Sequence, residues 1–259
     1  MICKDIIEVI ERTCPAACAL EWDNVGLLAG RDDKEVKRIY IALDATDEVI
    51  EAAVSEGADM LVTHHPLIFS GLKKINNQDF TGRRLIRLIQ NDISYYAMHT
   101  NYDVCRMGRL AGERLGFERP EVLWVTSEGE TPSGIGEIAD LSREMSLGEC
   151  AEAVKAAFGL LNVKIFGNLD MRIRRAAVCP GSGKSVLKDA VRKGADVLIT
   201  GDIGHHDGID AMAQGMAVID AGHYGVEHIF AGDVKQYFDG TLSGVQVIAA
   251  PVSHPFHVI

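Results

Sequence analysis

The segment EAAVSEGADMLVT (51–63) lies without a gap over KDAVRKGADVLIT (188–200), at an offset of 137 residues. Val49, Ala53, Val54, Gly57, Ala58, Asp59, Leu61 and Thr63 are identical to Val186, Ala190, Val191, Gly194, Ala195, Asp196, Leu198 and Thr200. A match of that density and register marks an internal duplication, and it obliges both halves of the chain to build the same unit. The competing reading is that α/β proteins reuse the phrase "helix, Gly-Ala-Asp, apolar strand".

Each copy reads as strand, helix, strand. RIYIALD is apolar and β-branched, DEVIEAAVSE sets Val49, Ile50, Ala53 and Val54 on one helical face, and DMLVT closes the unit. Gly57 stands where a helix C-terminal glycine is expected. RIRRAAVC, KSVLKDAVRK and ADVLIT repeat the pattern, and each copy continues through a loop and helix into another strand, ISYYAM or MAVID. The expected fold class is α/β: two intertwined, duplicated α/β repeats, with mostly parallel or mixed sheets and helices outside. Residues 1–125 read as the first repeat and 126–259 as the second; the segment 220–259 could pack back on the first. Between the copies, VLWVTS and GIGEIADL read as antiparallel strands. Ser146-Leu-Gly-Glu149 reads as a capping box opening a helix to about Phe158.

Composition narrows the function. Hydrophobic residues make up 47% and charged residues 24%, the balance of a soluble globular protein. A formal charge of -11 argues against general affinity for nucleic acid or anionic membrane. No apolar run approaches the roughly 18 residues of a spanning helix. MICKDIIEVIERTC is too often broken by charge to be a signal peptide. A cytoplasmic location is therefore expected, with the six scattered cysteines reduced and mostly packed inside.

Seven of the nine histidines fall in four segments that follow expected strands, where open α/β sheets place their sites. These are His64-His65-Pro66, His99-Thr-Asn-Tyr-Asp103, Gly201-Asp202-Ile-Gly-His205-His206 and Gly222-His223 through Glu227-His228. His223 and Glu227, four apart at a helix start, project from one face and can reach a common ion. An isolated HxxxE is as easily surface decoration; it gains weight only beside the other segments. His64 and His65 would point apart on an extended backbone, so both serve one cluster only where the strand ends and the chain turns. Neighbours aimed differently suit two ions better than one. Asp103 adds a hard carboxylate, and Glu227 could bridge the ions. Imidazole and carboxylate without thiolate suit two divalent metal ions of the Zn, Mn or Fe kind.

Other features stay open. His205 and His206 read either as outer contacts of the site or as contacts to substrate, and His254 and His257 as structural or interface residues. CPGSGKS (179–185) resembles a phosphate loop but fails the Walker pattern, because Val178 stands where glycine is required. It reads either as an anion-binding turn or as a plain tight turn.

These motifs, in this order, resemble the GTP cyclohydrolase I type 2 family, also called Nif-three-like proteins. The resemblance rests on Glu21-Trp22-Asp23-Asn24-Val25-Gly26-Leu27, Thr63-His64-His65-Pro66-Leu67-Ile68-Phe69, His99-Thr100-Asn101-Tyr102-Asp103, Gly201-Asp202 with His205, and Gly222-His223 with Glu227. It implies two related α/β repeats and a toroidal homohexamer with metal sites facing an inner cavity. It also implies a dinuclear site on His64, His65, Asp103, His223 and Glu227. The implied reaction converts GTP and water to formate and 7,8-dihydroneopterin triphosphate. His99, near Asp103 yet outside the five, is then the candidate proton shuttle. The substrate would be a small molecule, GTP or another nucleotide. Two alternatives stand beside it: another dinuclear hydrolase acting on phosphoesters, and a non-catalytic metal-binding or regulatory ring protein.

Overall fold

The computed structural model describes residues 1–258. The duplicated phrase folds twice in the same way. The strand Arg38–Ala42, the helix Asp47–Ser55 and the strand Met60–Thr63 form the first copy. The strand Arg172–Ser182, a 3-10 turn at Gly183–Val186, the helix Leu187–Arg192 and the strand Val197–Gly201 form the second. In both, the two strands run parallel in identical register: Ile39 faces Met60 and Tyr40 faces Leu61, while Ala176 faces Val197 and Ala177 faces Leu198.

The identical residues explain why. Gly57 and Gly194 take φ of +66° and +73° just past their helices, a conformation that costs glycine little. Ala58 and Ala195 then donate back to the carbonyls of Ala53 and Ala190. Asp59 Oδ2 accepts the backbone N–H groups of Lys37 at 2.8 Å and Arg38 at 2.9 Å. Asp196 Oδ2 does the same for Arg174 at 2.7 Å and Arg175 at 2.9 Å. One carboxylate thus fixes where the first strand of each copy starts against the second.

Among the described residues the strands form two sheets. The first has the order Gly26–Ala29, Ser94–Ala97, Met60–Thr63, Arg38–Ala42, Gln246–Ala249, all parallel except the first strand. The second has the order Glu121–Ser127, Ser133–Ser146, Arg172–Ser182, Val197–Gly201, Ala217–Asp220, Lys164–Phe166, with the three strands from Arg172–Ser182 to Ala217–Asp220 parallel. The expected capping box is present. Ser146 Oγ accepts from the Glu149 N–H, Glu149 accepts from the Ser146 N–H, and the helix runs Leu147–Phe158 to a left-handed Gly159.

The chain divides into two compact units. One comprises Met1–Tyr102 and Phe230–Val252, the other Asp103–Ile229 and the residues from Ser253 onward. Ala53, Ala58 and Leu61 lie in the core of the first, and their counterparts Ala190, Ala195 and Leu198 in the core of the second. Burial of each apolar helix face on its sheet is the main stabilising term in both.

Candidate metal centre

In the first unit, the strand Met60–Thr63 ends where the histidine pair begins. The turn is built by Thr63 and Tyr95. Thr63 Oγ1 donates to the His65 carbonyl at 2.8 Å, Tyr95 Oη donates to the same carbonyl at 3.1 Å, and Tyr95 Oη accepts from the Leu67 N–H at 2.8 Å. Burial pushes the Tyr95 phenol up to about 12, so it stays a donor at any working pH. Turned this way, the rings of His64 and His65 come 4.9 Å apart rather than pointing to opposite faces.

Each imidazole is held by its Nδ1. His64, fully buried, has Nδ1 at 2.8 Å from the Met98 carbonyl. A carbonyl can only accept, so Nδ1 carries a hydrogen and Nε2 is the nitrogen left to face the cluster. His65 Nδ1 lies 2.8 Å from Asp44 Oδ1, and His99 Nδ1 lies 2.8 Å from Asp23 Oδ1. Burial raises the affinity of Asp23 for a proton, but bonds from His99 and from the Thr100 side chain and N–H outweigh it. They hold its carboxyl at about 2. Asp23 is thus a permanent acceptor. Ligand atoms of His64, His65 and His99 all lie within 4.8 Å of one another.

In the second unit the same strand end is built differently. Gly201 stands where His64 stands in the first copy, and a Cβ there would meet the His223 backbone nitrogen at 2.4 Å. The His223 backbone thus occupies the space that a side chain takes in the first repeat. Asp220, buried, accepts from the N–H groups of Ile203 and Gly222 and pairs with Lys164 at 2.6 Å. That fixes the loop delivering His223 to the short helix His223–Glu227. His223 Nδ1 lies 2.9 Å from Asp202 Oδ2, and its Nε2 lies 3.0 Å from Glu227 Oε2. A neutral imidazole has one N–H, so with a carboxylate at each nitrogen one of the two contacts calls for a further proton or a metal ion. Asp103 and Glu227 offer oxygens within 4.8 Å of each other. Burial first, and then these two carboxylates, push the Cys179 thiol far up, so it does not compete as a thiolate ligand.

The donor set fits a divalent cation. Four imidazoles turn Nδ1 to an oxygen acceptor, the arrangement typical of histidines that ligate metals. Asp23, Asp44 and Asp202, which hold three of them, were not singled out as site residues by sequence. The sequence signals for Asp23 and Asp202 are their places in the resembling motifs; Asp44 has none.

The remaining sequence candidates fall elsewhere. His205 and His206 are exposed at the start of the helix His205–Ala213, outside every cluster of potential ligands among the described residues. His254 packs its ring 5.1 Å from that of Tyr224, and His254 and His257 help line a 620 Å³ cleft of the second unit with Asp202 and Gly222. CPGSGKS is the end of a strand and a 3-10 turn rather than a free loop. A Cβ on Gly181, at φ +79°, would lie 2.5 Å from Glu227 Oε1, and one on Gly183 would lie 2.2 Å from Thr200 Oγ1. Both glycines thus serve close approach, and Lys184 pairs with Asp207 at 3.2 Å.

The sequence and the fold both have counterparts among known proteins. Residues 1–255 match the Duf34/NIF3 (NGG1p interacting factor 3) family. The chain belongs to this family. A family relative from Clostridium perfringens named "GTP cyclohydrolase 1 type 2 homolog" is 37% identical over 226 residues, 86% of each chain. One of the same name from Streptococcus pneumoniae is 33% identical over the full length of both. The crystal structure of a Bacillus cereus protein related to NIF3 superposes with a TM-score of 0.93 at 26% identity, covering 100% of this chain and 99% of that one. The duplicated α/β fold is therefore that of the NIF3 proteins. Among the described residues no helix is long and apolar enough to cross a membrane.

Proposed function

We propose that the chain is a metal-dependent hydrolase of nucleotides, in the manner its GTP cyclohydrolase-named relatives suggest, with two divalent ions held by His64, His65, Asp103, His223 and Glu227. The observation that carries this reading is the common anchoring of the imidazoles through Nδ1. The covalent chain supports grouping the two ligand sets. Asp103 follows His99 by four residues, and Glu227 precedes Phe230 by three, whose ring lies 5.2 Å from that of His64.

When bound there, such ions would supply Lewis acidity, easing deprotonation of water and polarising the bond under attack. The protein's own groups do the rest. Asp44 and Asp202 orient His65 and His223, and the Met98 carbonyl fixes His64. His99, 13% exposed and backed by an ionised Asp23, can take a proton at Nε2 and return it, which suits a shuttle between water and a leaving group.

Formate release from GTP with Mn or Zn supplied tests the reaction. Release in wild type, with His99→Ala keeping its metal and losing turnover at least about 100-fold, is the expected result. Inorganic phosphate without formate would instead mark a phosphoester hydrolase, and loss of metal in His99→Ala would move His99 into the ligand set.

A further inference from the structure

Trp22 and Phe69 are large aromatic side chains that remain 57% and 55% exposed. Single exposed apolar residues are ordinary, but these two are paired and placed. Their rings are stacked at 23° with centroids 5.8 Å apart, and each meets the His99 ring edge-on, both at 5.9 Å. They come from separate segments, one before the strand Gly26–Ala29 and one after the histidine pair. The backbone beside each is tied down. Asp23, next to Trp22, is bonded to His99 and Thr100, and Asn24 Nδ2 donates to the Ile68 carbonyl, next to Phe69, at 2.6 Å. Two exposed rings on a frame this well bonded form a shelf whose position relative to His99 is set before any ligand arrives.

We infer that Trp22 and Phe69 form the stacking shelf for a planar heteroaromatic ring, of the nucleobase class, presented to His99. The inference deepens the hydrolase reading and rests on it for the chemistry, but not for the binding. Aromatic faces hold bases by stacking, with little regard to their hydrogen-bonding edges. A base on this shelf lies within ring-contact reach of His99, which itself sits 5.2 Å and 5.6 Å, ring to ring, from His64 and His65. The shelf thus positions a ring beside His99, whose own ring neighbours those of His64 and His65. Trp22 and Phe69 are positioning residues.

The chain has two tryptophans, so Trp124→Phe leaves Trp22 as the single indole fluorophore. The full-length variant, as purified and after chelator treatment, is titrated with guanosine and, separately, with tripolyphosphate. Saturable quenching by guanosine in both preparations, none by tripolyphosphate, and about tenfold weaker guanosine binding on adding Phe69→Ala would support the shelf. The proposal is overturned if guanosine leaves the emission unchanged, if tripolyphosphate quenches equally, or if Phe69→Ala binds guanosine unimpaired. It is equally overturned if Trp22 emission shifts with protein concentration alone and guanosine does not reverse the shift, since the pair would then be a contact between copies. Because the reading requires neither metal nor turnover, a negative formate assay leaves it standing.

Discussion

At the scale of single residues, the proposed centre depends on groups that touch no ion. An imidazole free to rotate would lose the orientation that makes Nε2 a good donor, so Asp44 and Asp202 contribute through His65 and His223. Asp44→Ala and Asp202→Ala are each expected to weaken metal retention about 10- to 100-fold in competition with a fluorescent chelator, with the fold intact by circular dichroism. Retention equal to wild type would remove their orienting role. Gly181 makes a sharper case, because its positive φ and its closeness to Glu227 both exclude a side chain. Gly181→Ala should lower stability by about 1–3 kcal/mol in urea denaturation and reduce bound metal as Glu227 is displaced. A variant with unchanged midpoint and metal content would contradict the close approach.

At the scale of elements, the duplication is a physical equivalence as well as a textual one. Asp59 and Asp196 each accept two backbone N–H groups just before the parallel pairing of their strands begins, so removing either carboxylate leaves two donors without that acceptor. Asp59→Ala and Asp196→Ala are expected to cost about 1–3 kcal/mol each, and similar amounts, by chemical denaturation. A large cost at one and none at the other would mean that the two copies have diverged in how they set register. The same elements show what a sequence can disclose. Helix, left-handed glycine, Asp and apolar strand form a local code, because every bond in it joins residues close in the chain or repeated in both halves. The capping box at Ser146 and Glu149 is local too. The pairing of Gln246–Ala249 with Arg38–Ala42 is not, since nothing in four apolar-leaning residues names a partner some 200 positions away. The segments that carry the proposed ligands stand out in the sequence because histidine is scarce and clustered in them. Asp23 and Asp202 stand in quoted motifs without a role that sequence could assign, Asp44 is hidden among 37 acidic residues, and their distances to imidazoles supply the role of all three.

At the scale of the whole molecule, the two repeats have specialised. The first keeps two adjacent histidines at its strand end, while the second replaces the equivalent of His64 with Gly201 and brings in His223 from the next strand. The first copy thus offers His64 and His65, backed by a carbonyl and a carboxylate, and the second offers His223, backed by Asp202. The most direct test of the proposed five-residue metal set is elemental analysis of the full chain after loading with Zn or Mn and exhaustive dialysis. Wild type is expected to hold two ions per chain, with His64→Ala and Glu227→Ala each losing at least one. Full two-ion occupancy in both variants, or no retained metal in wild type, would contradict it.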